Sequence, residues 1–243
     1  MKSVTLKKSG RILIWACIIF FSTYYIFANC LRYFVFTPKN YHFDFFWNRK
    51  YWVFIHVFSG MLATIVSPFQ FISYIRTHYR RAHRILGKTY VYSIIISSVT
   101  SFYLCATTPE NVWYALGLGG FTAAWLVTAV MGMVSAIKGK IDQHKAWMIR
   151  SFVVTVGFST SRLLEDIVIH AHAQVERVDR LTILAWISWI IPLIITEWII
   201  VKNRKKVNNY NNLSFAVNTR ITDKSNVIAD SMEKIVRHKQ PVN

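Results

Sequence analysis

The sequence predicts an all-α fold, a polytopic membrane bundle of about six transmembrane helices with both termini cytoplasmic, and three observations carry that expectation. Of the 243 residues, 53% are hydrophobic and only 16% are charged, where an ordinary soluble domain carries roughly a quarter charged. The apolar residues gather into runs of about 20, the length that crosses roughly 30 Å of hydrocarbon as a helix. Charge is one-sided, 29 Lys and Arg against 11 Asp and Glu for a net +18, and the bases fall between the runs. That composition argues against a soluble domain and against disorder over most of the chain.

The first run extends from about Ile12 to Leu31. It follows basic residues as a signal peptide does, but it is longer than the about 7 to 15 residues of a cleaved apolar segment. Its end, Cys30-Leu31-Arg32-Tyr33, has no small-x-small cleavage pattern, so it is expected to be a retained helix. The second run, about Trp52 to Ile75, contains Pro68 near its inner end, where a bend is expected. The third covers about Leu86 to Ala106 and the fourth about Val112 to Ile137. The fifth, Ala146 to about Ile169, is less apolar than the others, and the sixth, about Leu181 to Val201, holds Pro192 as an expected kink. Residues 1–206 thus form a six-span transmembrane domain. Residues 207–243, opening on the Asn-rich stretch Asn208 to Asn212, read as a polar, flexible cytoplasmic tail.

Orientation follows from where the bases lie. Lys2, Lys7, Lys8 and Arg11; Arg76, Arg80, Arg81, Arg84 and Lys88; Lys138, Lys140 and Lys145; and Lys202, Arg204, Lys205 and Lys206 all fall on one side of a six-span arrangement. On the other side, Thr107 to Asn111 has no base, and Glu176 and Asp179 offset Arg177 and Arg180. The first loop, with Arg32, Lys39, Arg49 and Lys50, runs against the pattern. In a multi-span chain such basic flanks mean topology and attraction to anionic lipid headgroups rather than nucleic-acid binding.

Ionisable groups inside a span cost at least about 2.5 kcal/mol each on insertion scales, so each needs a partner or a purpose. In the fifth run Arg162, Glu165, Asp166 and His170 share one helical face. An Arg162 to Asp166 ion pair that anchors packing is the first expectation, and a substrate or proton site is the alternative. Ser151, Thr155, Ser159, Thr160 and Ser161 add hydroxyls on the same helix. Among eight histidines, His56, His170 and His172 fall on the outer side. His83 and His144 fall in cytoplasmic loops just before the third and fifth spans, and His42, His78 and His238 read as loop or tail residues. Imidazoles from different helices on each side of a bilayer suit a b-type haem, so His56, His83, His144, His170 and His172 are candidate haem or quinone contacts. The plainer account gives the inner pair headgroup contacts or capping and makes His56 a packing residue. No CxxCH attachment motif is present, and Cys17, Cys30 and Cys105 have no metal-ligand spacing. Nor is there a phosphate loop, a nucleophile elbow or HExxH, so enzymes built on those motifs are not expected.

The segments His56-Val57-Phe58-Ser59-Gly60, Pro68-Phe69-Gln70, His83-Arg84-Ile85-Leu86-Gly87-Lys88-Thr89-Tyr90 and His144-Lys145-Ala146-Trp147-Met148-Ile149-Arg150-Ser151, with Arg162, resemble a family of bacterial membrane proteins catalogued as a domain of unknown function. The likeness covers about Trp52 to Asp166. Ser67 stands where a glycine is expected before Pro68, and Lys88 where arginine is usual; neither touches the fold expectation. The resemblance implies a multi-span inner-membrane protein and supplies no activity. Physically, Gln70, Tyr90, Trp147 and Arg150 are expected to frame a cytoplasmic pocket for a quinone headgroup, a haem propionate or a lipid phosphate. Three functions follow as expectations: haem-based membrane electron transfer with a quinone or other redox partner, proton-coupled or small-solute transport, and a non-catalytic accessory role.

Overall fold

The computed structural model describes residues 8–41, 44–171 and 175–238, and every regular element among them is helical. Helix α1 (Lys8–Tyr25) runs into a π turn (Ile26–Cys30) and a 3-10 turn (Leu31–Phe34). After a 3-10 turn at Pro38–Tyr41 come α2 (Asp44–Asn48), α3 (Lys50–Val66), a 3-10 turn at Ser67–Phe71 and α4 (Ser73–His78). The long helices α5 (Arg80–Ala106), α6 (Val112–Ile137), α7 (Ile141–His170) and α8 (Arg177–His238) complete the chain. It divides into two compact units, the first ending at Thr196 and the second starting at Glu197.

Among the described residues, five segments are long and apolar enough to cross a membrane: Trp15–Phe34, Lys50–Phe71, Arg80–Ala106, Val112–Ile137 and Arg177–Asn209. They match five of the six expected spans. Helix α7, the remaining one, has 30 residues, or about 45 Å at 1.5 Å per residue, so its length suffices. Its hydroxyls and charges, not its length, separate it from the other five. In the second unit, α8 continues as helix to His238, where the sequence predicts a flexible tail. Between Pro192 and His238 the chain has neither glycine nor proline, and polar composition alone does not break a helix.

Side-chain polarity is inverted relative to a soluble domain. Ile96, Val99, Leu116, Val127, Ile191 and Ile194 are exposed, while Ser97, Ser98, Thr122, Ser151 and Thr155 are buried. Small hydroxyl residues let helices approach closely, and most satisfy themselves on their own backbone. Ser59 donates to the Ile55 carbonyl, Thr64 to Gly60, Thr100 to Ile96 and Thr128 to Ala124. Between them sits an aromatic and aliphatic core of Tyr90, Ile94, Phe121, Trp125 and Val154, with Phe121 stacked on Phe158 at 3.9 Å.

Two glycines are dictated by geometry. Gly139, at φ +70, ends α6 in the left-handed region, and Lys140 N–H closes the turn on the Ser135 carbonyl at 2.9 Å, which folds α7 back beside α6. Gly157 answers to Pro192. Proline has no N–H to give the Ser188 carbonyl, one turn before it, and that oxygen lies only 2.8 Å from where a Cβ on Gly157 would stand. Phe121 Cζ would be 3.1 Å from the same point. Gly157→Ala therefore forces α7 away from α8, and we expect a loss of about 1–3 kcal/mol, read as a lower thermal midpoint in detergent, with Gly119→Ala, whose Cβ meets nothing within 4 Å, as the neutral control.

Candidate functional site in the polar interior

Three polar layers lie along the bundle. The central one joins α5, α6 and α7 through four buried side chains. Tyr90 Oη is 2.8 Å from Ser151 Oγ and 2.7 Å from Thr155 Oγ1, Trp125 Nε1 donates to Thr155 Oγ1 at 2.8 Å, and Thr155 Oγ1 donates to the Ser151 carbonyl at 2.9 Å. Proton counting fixes the directions. The one proton of Thr155 goes to its own backbone, so its oxygen accepts from both Trp125 and Tyr90. Tyr90 has then spent its proton, so the Ser151 hydroxyl donates to the Tyr90 oxygen. Tyr90, expected in a cytoplasmic pocket with Gln70, Trp147 and Arg150, is buried in this layer, ten residues or about 15 Å along α5 from Arg80, with its hydroxyl on Ser151 and Thr155.

The layer toward the α5–α6 turn, called outer after the orientation expected from the sequence, with the layer at the opposite end called inner, holds His56 and the α7 charges. His56 Nδ1 lies 2.9 Å from the Ser97 carbonyl, which can only accept, so that nitrogen carries the proton and Nε2 keeps the lone pair. Ser97 Oγ donates back to the His56 carbonyl at 3.1 Å, and the two residues clamp α3 to α5. Beside them is a cavity of about 40 Å³ bordered by Tyr25, Gly60, Thr64 and Trp125. It has room for a few waters at about 10–15 Å³ each and falls far below the roughly 300–1,000 Å³ of a cofactor pocket. Arg162 Nη1 pairs with Glu165 Oε2 at 2.6 Å, not with Asp166 as expected. Asp166 instead accepts from the Tyr24 hydroxyl of α1 at 3.1 Å, because its position one residue further round the helix turns it toward α1. His170 Nδ1 donates to the Asp166 carbonyl of its own helix at 2.7 Å. The outer histidines are thus held separately, and His42 and His172 lie outside the described residues.

The inner layer is where two expected site residues come together. Helices α5 and α7 each start about one and a half turns before the hydrocarbon-like runs begin, so His83 and His144 lie within helices rather than in loops. Each is the fourth residue of its helix. His83 is within Coulombic reach of His144 and Arg76. His144 Nδ1 donates to the Gly132 carbonyl of α6 at 2.9 Å, leaving Nε2 as the electron-pair donor. His83 Nδ1 is buried with no hydrogen-bond partner, as is Gln70 Nε2. Arg150 stacks over Trp147 at 4.7 Å on α7. Among the described residues no three His, Cys, Asp or Glu side chains are grouped to hold a metal ion.

Sequence reasoning singled out neither Ser97 nor Trp125. Trp125 had a signal: an indole N–H in the middle of a span needs an acceptor, and a hydroxyl on a neighbouring helix is the economical one. We expect Thr155→Val, which strands the Trp125 donor and removes the acceptor of Tyr90, to cost about 1–2 kcal/mol. Tyr90→Phe should cost less, because Ser151 can turn its proton to its own helix; paired thermal melts of the two variants give the order.

Compared with known proteins, residues 53–200 match the family described as "Predicted membrane protein (DUF2306)". No curated protein and no solved structure matches the chain.

Proposed function

This chain belongs to that DUF2306 family of membrane proteins, and from that premise we propose that it is a redox protein of the bacterial cytoplasmic membrane that holds a b-type haem at the inner end of its bundle, between His83 and His144. In this reading α7 is the sixth span and both termini face the cytoplasm. Its support is the side-chain bonding of α7 to α5 and α6, and the basic segments that six crossings bring to one face.

The observation that carries the haem reading is a pair of imidazoles, each the fourth residue of its helix, with His144 close enough for its charge to act on His83. A porphyrin iron brings four nitrogens of its own and asks the protein for two ligands, so a pair suffices where a bare divalent ion needs a larger group. The His144 to Gly132 bond sets the tautomer that axial histidines use, with Nε2 free to ligate. Arg76, within Coulombic reach of His83, supplies positive charge for propionates. Such a group would contribute a one-electron iron couple, and the membrane-soluble partner class this calls for is a quinone. The outer histidines are not part of the proposal, since the space beside His56 has room for a few waters and not for a macrocycle.

A second reading has its own observation. The Arg162–Glu165 pair and His56, with a water-sized cavity bordered by Tyr25, fit a route for protons or a small solute through the outer half.

One spectrum separates the two. For protein purified after expression with haem precursor, we expect a Soret band and dithionite-sharpened α and β bands, abolished in His83→Ala and His144→Ala and kept in His56→Ala. A featureless spectrum under the same supply sinks the haem reading. Vesicle uptake assays of Arg162→Ala would then test the route through the outer layer.

A further inference from the structure

Between Asp44 and Glu110 the chain contains no acidic residue, yet it places Arg76, Arg80, Arg81, Arg84 and Lys88 around the α4–α5 turn. These cations are all exposed, and none is in an ion pair among the described residues. Arg80, Arg84 and Lys88 recur every fourth residue, so they form one stripe along the first turns of α5, with Arg81 beside it. Like charges at that spacing repel, and cations at a helix N-terminus also oppose the helix dipole. No acid occupies the first turn of α5 to relieve them. Compensation has to come from outside the protein.

Gln70 supplies an independent sign of a ligand. It is 7% exposed in the 3-10 turn after α3, its Nε2 has no partner, and its amide packs on α5, with Oε1 3.3 Å from where a Cβ on Gly87 would stand. A buried donor without an acceptor, set against α5 at Gly87, between Arg84 and Lys88 in the chain, suits an oxygen-bearing ligand.

Helix α5 also says what shape that ligand has. Beyond the cations its exposed side chains become apolar: Ile85, Tyr92, Ile96 and Val99 continue the flank on which Arg81 and Lys88 begin. Tyr74 and Tyr79, both exposed, stand at the level of the charges, as aromatic residues do at a membrane interface. From Arg80 to Lys88 the stripe is about 12 Å long, enough to reach from water through one headgroup layer to the edge of the hydrocarbon. Cationic turns followed by an apolar track match an amphiphile with an anionic head and acyl chains.

We propose that the α4–α5 face is a binding site for an anionic glycerophospholipid of the adjoining leaflet, with Arg84 and Lys88 on the phosphate and Gln70 donating to one of its oxygens. Of the cations at this turn only Arg76 also enters the haem reading; Arg84, Lys88 and Gln70 have no part in it.

The test uses the full chain in nanodiscs of phosphatidylcholine alone or mixed with phosphatidylglycerol, with native mass spectrometry counting retained lipid. Arg84→Gln/Lys88→Gln should retain anionic lipid roughly 30-fold less well, the effect of two interfacial cations. Lys138→Gln/Lys140→Gln, with the same charge loss at the α6–α7 turn, should retain it as the parent does. The stripe's self-repulsion makes the sign of the stability change diagnostic: the Arg84/Lys88 variant should melt above the parent in pure phosphatidylcholine and below it in the anionic mixture. Equal melting shifts in both lipids, or equal lipid loss from both double variants, overturns the proposal. Protection by soluble glycerol phosphate equal to that by the vesicle lipid overturns it in favour of a free phosphate ligand. Haem content, read on the same samples, is expected to be unchanged, so loss of the lipid site and failure of the haem reading are distinguishable.

Discussion

A polar group inside the hydrocarbon of a bilayer has no water to bond, so each hydroxyl, amide or imidazole that the chain places there must find a partner within the protein. The bundle meets that constraint in two ways with different consequences. A serine or threonine that returns its proton to its own helix, as Thr64 and Thr128 do, is satisfied whatever stands next to it and contributes mainly smallness. A group that has no local acceptor must reach another helix, and then the neighbour is specified. Thr155 does both at once: its proton closes on its own backbone, which leaves its oxygen to receive Tyr90 from α5 and Trp125 from α6. With apolar packing unable to distinguish helix from lipid, such bonds and close glycine contacts set the register of the helices.

The same constraint sorts the histidines. His56 spends its Nδ1 proton on Ser97 and so clamps α3 to α5, a role a packing residue fills completely. His144 spends its own on Gly132, but does so at a helix end beside a second imidazole whose Nδ1 has no partner. The His144 bond ties α7 to α6, whereas the unpartnered Nδ1 of His83 and a second imidazole close by are burdens that packing alone does not call for. Their cost is what makes the inner layer the better candidate for chemistry.

Hydropathy made the five apolar helices legible, because the length of an apolar run is a direct measure of hydrocarbon thickness. It misplaced the starts of α5 and α7 for the same reason. A transfer scale sees where a helix enters lipid and not where it begins, and Arg80 to Ile85 and Ile141 to Lys145 are good helix formers outside the hydrocarbon. His83 and His144 moved from loops into helices on that account, and with them the geometry of the pair. The partner of Arg162 was unreadable at a finer level. Spacing places Glu165 and Asp166 equally within reach on α7, and the choice was made by Tyr24, a residue 142 positions away in sequence that takes Asp166 for α1. The partners of Tyr90 were equally unreadable: it shares a face with His83, two turns apart, but its hydroxyl is taken up by Ser151 and Thr155, more than 60 residues away in sequence.

Helix α7 shows why the least apolar of the long helices is the informative one. Charged residues near the middle of a span cost roughly 2.5–3.5 kcal/mol each on insertion scales, and α7 carries Arg162, Glu165 and Asp166 besides its hydroxyls. Its neighbours offset that cost: α1 through Tyr24, α5 through Tyr90, α6 through Trp125 and the Gly132 carbonyl, and its own turn through Arg162 and Glu165. Each contact is needed only because α7 is polar. An apolar α7 would need none of these bonds. The polar contacts are concentrated in one helix that touches all three polar layers, so the register of α1, α5 and α6 is set in large part by what α7 offers them.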